Sequence, residues 1–291
     1  MSPARRALTH DATPSEILCE PASVGLSVPS VRSGSVDVHY EVQGAAEAPA
    51  LLLLHSLGVD LGMWDPQMPD FLRHHRIVRY DVRGHGRSGV GAAKCSMETL
   101  AQDAIAVLDA AQIVKAHWCG LSLGGMTAMW AASRHPERVA RLVLCNTSAH
   151  MPPAAQWHSR MDLVRREGMR AVAPAVIERW FTADFRSSHP EKVARIEGML
   201  QATLPEGYAA VCGAIAEMNQ LNDIRGIAAP TLVICGAEDP ATPLAHSEAL
   251  CDAIADSRLV VLQAAHLSNV EKPQDFSTAV GDFLNARANL P

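Results

Sequence analysis

No apolar run in this 291-residue chain approaches the roughly 18 residues that a membrane-spanning helix needs. The N-terminus, MSPARRALTHDATPSEILCE, lacks the apolar stretch of a secretory signal, and its Asp11, Glu16 and Glu20 do not suit a transit peptide. Neither sign of charge dominates. The 25 Lys and Arg against 31 Asp and Glu give a formal net charge of −6, which points to neither nucleic acid nor an anionic membrane as a partner. There is no H-E-x-x-H, no Cys/His cluster with ligand spacing and no P-loop, so metal and phosphate chemistry find no motif. The seven cysteines (Cys19, Cys95, Cys119, Cys145, Cys212, Cys235 and Cys251) are odd in number. Three of them close β-like apolar runs, where cysteine behaves as a small buried hydrophobe. That usage belongs to a reducing compartment, and a cytoplasmic location is expected. Internal repeats and low-complexity segments are absent.

The chain is 48% hydrophobic, enough for a sizeable core. SVPSV (27–31) and SVDVHYEV (35–42) flank Arg32-Ser33-Gly34 and read as a hairpin. Six short apolar runs follow: ALLLLH (50–55), RIVRYD (76–81), AHWCG (116–120), RLVLCN (141–146), TLVICG (231–236) and RLVVLQ (258–263). Nearly continuous apolar strands are expected where both faces of a parallel sheet are covered. Helical patterns alternate with them. Leu100, Ala104, Val107, Leu108 and Ala111 share one face, with Asp103 and Asp109 expected off it. Phe276, Val280, Phe283 and Leu284 share another. This alternation predicts an α/β sheet. Between 146 and 231 the pattern changes, with helix-like stretches around 156–168, 169–181, 190–203 and 205–219 and no convincing strand. That interval is too long for a plain crossover. The expected organisation is a flexible arm over 1–26, a core from 27–147 and 226–291, and a helical cap from 148–225 over the sheet edge.

Within HWCGLSLGGMTAMW, Gly120-Leu121-Ser122-Leu123-Gly124 follows a strand and opens a helix. A G-x-S-x-G elbow in that context lifts a serine hydroxyl out of the sheet, at the edge where open α/β sheets bind ligands. Ser122 is therefore the candidate nucleophile. A serine needs a base, and the base needs an orienting acid. Asp239 follows the strand TLVICG and His266 follows RLVVLQ, in the order Ser, acid, His. His266 is the candidate base and Asp239 its orienter, with Glu238 the alternative acid. The N–H groups of Leu123 and of Leu57, in the loop after ALLLLH, are the candidate oxyanion donors. The glycine-rich DVRGHGRS (81–88) lacks phosphate-loop spacing. Asp81 and Arg83 are expected to hold its shape, and His85 is not expected to be the base.

These residues, with the helical insertion, resemble the α/β-hydrolase superfamily. Further stretches narrow the resemblance: SLGVDLGMWDPQMPDF, RYDVRGHGRS, CGLSLGGMTAMW, RLVLCNTSA, RREGM, RWFTADFR, LPEGYAAVC, GAEDPATP and AAHLSNVEKP are similar to the 3-oxoadipate enol-lactonases. His55-Ser56 departs from the Ser-Asn of many of them. The resemblance runs from about residue 27 to 287. It implies an α/β-hydrolase fold with a mostly parallel eight-stranded sheet and a helical cap. It implies hydrolysis of a carboxylated enol lactone through an acyl-Ser122, with no cofactor. The implied partner is a small-molecule lactone, with no role for nucleic acid or membrane. The substrate carboxylate calls for a cation near the cap. Arg160 is the candidate, with Trp157 walling the ring. The alternatives are a small-ester carboxylesterase or perhydrolase-like enzyme, and a hydrolase-fold protein that binds a small molecule.

Overall fold

The computed structural model describes residues 29–91 and 94–286; the arm expected over 1–26 lies outside the described residues. Eight strands form one sheet: β1 (Ser30–Ser33), β2 (Val36–Gln43), β3 (Ala50–Leu54), β4 (Arg76–Tyr80), β5 (Ala116–Leu121), β6 (Val139–Cys145), β7 (Thr231–Gly236) and β8 (Ser257–Leu262). Their order is β1-β2-β4-β3-β5-β6-β7-β8. β1 pairs with β2, and β2 with β4, antiparallel; every other pair is parallel. The central strands are the most apolar. All four leucines of β3 and all six residues of β7 are buried, because helices cover both faces of a parallel sheet. The edge strands β1 and β8 are only partly buried.

The helices are α1 (Met68–Phe71), α2 (Met97–Ala110), α3 (Leu123–Arg134), α4 (Ala154–Glu167), α5 (Ala173–Trp180), α6 (Ala183–Ser188), α7 (Pro190–Ala202), α8 (Pro205–Glu217), α9 (Leu244–Ala253), α10 (Ser268–Glu271) and α11 (Pro273–Asn285). Local sequence starts several of them. The Ser96 hydroxyl accepts from Thr99 N at the head of α2, and α7, α8 and α11 each carry proline in the first turn, where its missing N–H has no partner to lose. α11 buries Phe276, Val280, Phe283 and Leu284, a stripe at helical spacing. α3 packs on β3, β5 and β6. Between β6 and β7 the described elements are helical, α4 to α8, apart from an isolated bridge of His150 with Asn219. We call this stretch the cap; α4 packs along α8 within it.

One expectation is corrected. Asp103 is not off the apolar face of α2: it is 1% exposed and receives two hydrogen bonds of 2.6 Å from the Arg83 guanidinium. It lies three residues after Leu100 and four before Val107, so helical geometry turns it inward. A buried carboxylate there requires a matched cation. Arg83, from the glycine-rich loop after β4, supplies a bidentate one.

The register of the parallel pairs aligns the strand ends. Leu54 lies opposite Gly120, Leu121 opposite Cys145, Cys145 opposite Ile234, and Gly236 opposite Leu262. The loops after β3, β4, β5, β6, β7 and β8 therefore leave one carboxyl edge together. Those loops carry Leu57, Asp81, Ser122, Asn146, Asp239 and His266.

Candidate active site

Ser122 joins β5 to α3 with φ +54° and ψ −112°. That conformation is costly for a residue with a Cβ, about 1–3 kcal/mol, and is sustained only when the surroundings fix it. They do so through hydrogen bonds. Ser122 N donates to Cys145 O at 2.8 Å, and its carbonyl accepts from Thr147 Oγ1 at 2.7 Å and from Met126 N at 3.0 Å. The flanking glycines answer a packing need. A Cβ on Gly120 would lie 2.3 Å from the Gly124 carbonyl, and one on Gly124 would lie 2.1 Å from Leu54 O. The turn is thus pressed against β3, and the serine side chain is left at the sheet edge. Leu123 is the first residue of α3, so its N–H has no intrahelical acceptor.

Asp239 follows β7 and is buried, whereas Glu238 is exposed. Five donors converge on the Asp239 carboxylate. Oδ1 accepts from Ala241 N (2.8 Å) and Thr242 N (3.0 Å). Oδ2 accepts from Thr242 Oγ1 (2.6 Å), Asn146 Nδ2 (3.0 Å) and His266 Nδ1 (2.8 Å). Burial alone would raise this carboxyl's pKa. The His266 charge and the hydrogen bonds from His266, Thr242 and Asn146 outweigh it and hold the group well below the usual carboxylate range. An ionised Asp239 fixes the His266 proton on Nδ1 and leaves Nε2 as the basic atom.

Ser122, Leu57 and His266 line one cavity of about 220 Å³. Its other wall comes from the cap: Trp157 and Arg160 of α4, Arg179 and Trp180 of α5, and Tyr208 of α8. Two candidates stand behind that lining: Asp239 on the far side of the His266 ring, and Leu123 next to Ser122 in the chain. Trp157 is present as a wall only, since its indole N–H already donates to Met151 O at 3.0 Å. The Arg160 guanidinium stacks on its ring, 4.9 Å from the centroid. Sequence reasoning missed Arg179. Burial lowers its pKa, and the Arg160 charge lowers it further. Two cations therefore share the cavity, and neither forms an ion pair with a carboxylate among the described residues. The only hint was arginine next to tryptophan in RWFTADFR.

The loop that carries Leu57 is braced from behind. Val82 N donates to His55 Nε2 at 2.9 Å, which places the His55 proton on Nδ1, 2.7 Å from Ser56 O. Burial keeps this ring neutral by lowering its pKa, against the opposing pull of Asp81 and the Ser56 carbonyl. His85 is buried beside it, with burial and the His55 ring pushing its pKa down to about 3. Its Nδ1 lies 3.1 Å from Arg83 O. Neither histidine lines the cavity that holds Ser122. The Asp81 carboxylate holds its loop by accepting from Leu61 N and Arg87 N, each at 2.8 Å.

A strained serine elbow at the carboxyl edge of a mostly parallel sheet, under a helical insertion, defines a class. The chain belongs to the α/β-hydrolase family, whose model, described as the alpha/beta hydrolase fold, matches residues 49–273, and it is an ester-hydrolysing enzyme. Within that family it is 40% identical over 245 residues to 3-oxoadipate enol-lactonase 2 of Acinetobacter baylyi, covering 84% of this chain and 92% of the relative. The crystal structure of the enol-lactonase from Burkholderia xenovorans LB400 superposes with a TM-score of 0.86 at 40% identity, covering 88% of this chain and 99% of that one. A putative carbamate hydrolase RutD of Agrobacterium fabrum is 32% identical over 256 residues, covering 85% of this chain and 98% of the relative. Among the described residues no helix is long and apolar enough to cross a membrane.

Proposed function

We propose that this enzyme hydrolyses 3-oxoadipate enol-lactone to 3-oxoadipate, late in the β-ketoadipate route of aromatic breakdown. Two relatives carry that activity in their names: the Acinetobacter baylyi enol-lactonase 2 and enol-lactonase 1, the latter 32% identical to this chain. The observation that carries the reading is the pair Arg160 and Arg179, both without a carboxylate partner among the described residues, in the cavity that holds Ser122 and His266. A carboxylated lactone supplies the missing anion through charge-assisted hydrogen bonds. A neutral ester leaves two half-buried cations unpaired.

His266 Nε2 takes the Ser122 proton as the serine oxygen attacks the lactone carbonyl, and the N–H groups of Leu57 and Leu123 receive the oxyanion. Asp239 stabilises the imidazolium that forms. Collapse breaks the ring C–O bond. The leaving group is an enolate, less basic than an alkoxide; it takes the proton from His266 and tautomerises to the 3-oxo group. Water, deprotonated by His266, then attacks the acyl-Ser122 ester and releases the diacid. Every step uses side chains and backbone of this chain, so the reading includes no cofactor. The cysteines among the described residues are unpaired, which supports a cytoplasmic setting.

Arg160→Gln and Arg179→Gln separate this reading from a carboxylesterase acting on neutral esters. Each variant raises KM for the enol lactone by about tenfold or more, the loss expected for one charge-assisted hydrogen bond of about 1.5–3 kcal/mol. Each leaves p-nitrophenyl acetate turnover close to wild type. Equal effects on both substrates would assign the arginines a structural role and favour the carboxylesterase.

A further inference from the structure

The loop that carries His266 is fastened to the cap, and the fastening centres on a carboxylate outside the proposed triad. Glu271, the last residue of α10, is 7% exposed. Its Oε2 accepts from the N–H of Ala265, the residue before His266, at 3.0 Å, and from Thr182 N at 3.4 Å. Its Oε1 accepts from the Thr182 hydroxyl. On the other side of the base, Leu267 N donates to Trp180 O at 3.0 Å. The residues on both sides of His266 are thus tied to the Trp180–Thr182 turn, directly after Arg179: Leu267 directly and Ala265 through Glu271. Among the described residues Glu271 has no cation partner. A carboxylate buried without a cation is costly unless donors replace its hydration. Here every donor belongs to the histidine loop or to the cap turn.

We propose that Glu271 is a positioning residue: its carboxylate ties the backbone before His266 to the cap turn after Arg179, so that the base and the substrate-binding wall keep one relative geometry. This rests on His266 acting as the base of Ser122, and not on which lactone the enzyme takes. On this account the cap is not a lid, since lifting the α5–α6 turn would break hydrogen bonds on both sides of the base.

The test is kcat on p-nitrophenyl acetate, a neutral ester that needs His266 but no arginine, counted per active serine by titration with a fluorophosphonate. Glu271→Ala lowers kcat on the order of ten- to a hundredfold, the cost of letting a catalytic group drift by a fraction of an ångström to an ångström. Glu271→Gln restores most of it, because its amide oxygen accepts from Ala265 N while its NH2 donates to the Thr182 hydroxyl. Thr182→Val carries the same test if Glu271→Ala does not fold: kcat falls about fivefold for the loss of one hydrogen bond, and Thr182→Ser recovers it. Wild-type kcat per titrated serine in Glu271→Ala or Thr182→Val, with only a lowered Tm, would overturn the proposal. So would equal losses in Glu271→Gln and Glu271→Ala. A Ser122→Ala protein with undiminished ester turnover would instead overturn the triad reading.

Discussion

Asp239→Asn replaces one heavy atom and should disable His266, the proposed base. The side chain keeps its volume, so the loop after β7 stays packed. Five donors face the native carboxylate. Two of them, Ala241 N and Thr242 N, are backbone groups that cannot reverse, so the amide oxygen of the variant must take the Oδ1 position. The amide NH2 then stands where Oδ2 stood, facing Asn146 Nδ2 and His266 Nδ1. His266 can meet a donor only by losing its Nδ1 proton. The proton moves to Nε2, the atom that accepts from Ser122 in the proposed mechanism. The expected fall in kcat is on the order of 10⁴, the scale of a triad held in the wrong tautomer, or about 5 kcal/mol of transition-state stabilisation. The assay is kcat on p-nitrophenyl acetate and on the enol lactone, with a thermal melt to show that the fold persists. An Asp239→Asn protein within tenfold of wild type on both substrates would refute the tautomer reasoning.

Asp103→Asn removes one partner of a buried bidentate pair and leaves Arg83 without its counter-charge. Denaturant unfolding should show a loss of about 3–5 kcal/mol, and a loss under about 1 kcal/mol, the scale of a surface pair, would mean that burial does not make the pair costly to break. Two groups show the pH dependence of stability in different ranges, beside other buried or half-buried histidines whose pKa values burial also lowers. His85 has its folded pKa pushed down to about 3, below the usual histidine value of about 6.5. Between those values the unfolded chain binds the extra proton, so His85 alone makes stability fall on acidification by about 1.4 kcal/mol per pH unit, and the other lowered histidines add to it. Asp239, held below the usual carboxylate range, contributes stability above pH about 4 that is lost only on further acidification. Melting temperature should therefore begin to fall near pH about 6.5, the usual histidine value. A flat profile from pH about 7 down to about 4.5 would contradict the burial of neutral histidines, His85 and His55 among them.

Much of this arrangement is legible in the residues because it is local. ALLLLH and TLVICG announce buried strands through unbroken apolar runs, and the glycines of the elbow announce close backbone approach. The order of Ser122, Asp239 and His266 follows from strand ends sharing one edge. What escapes the sequence depends on partners far away along the chain. Asp103 looks like a solvated helix residue until Arg83, 20 positions earlier, folds over it. Asn146 looks like a strand end, yet its side chain reaches Asp239 across 93 positions. Arg179 looks like a surface arginine on a short helix, and only the placement of α5 over the sheet edge turns it toward Ser122. Glu271 carries no local signal at all, since its donors come from Ala265 and from Thr182 on the cap.

The most direct test of the central claim is steady-state turnover of 3-oxoadipate enol-lactone, followed by loss of its ultraviolet absorbance, with wild type and Ser122→Ala side by side. Alanine meets the same positive φ as serine, so the elbow is retained and only the hydroxyl is lost. Rapid turnover by wild type and its abolition in Ser122→Ala are the expected pair of results. Turnover undiminished in Ser122→Ala would contradict the proposed nucleophile, and no turnover by folded wild type would contradict the proposed substrate.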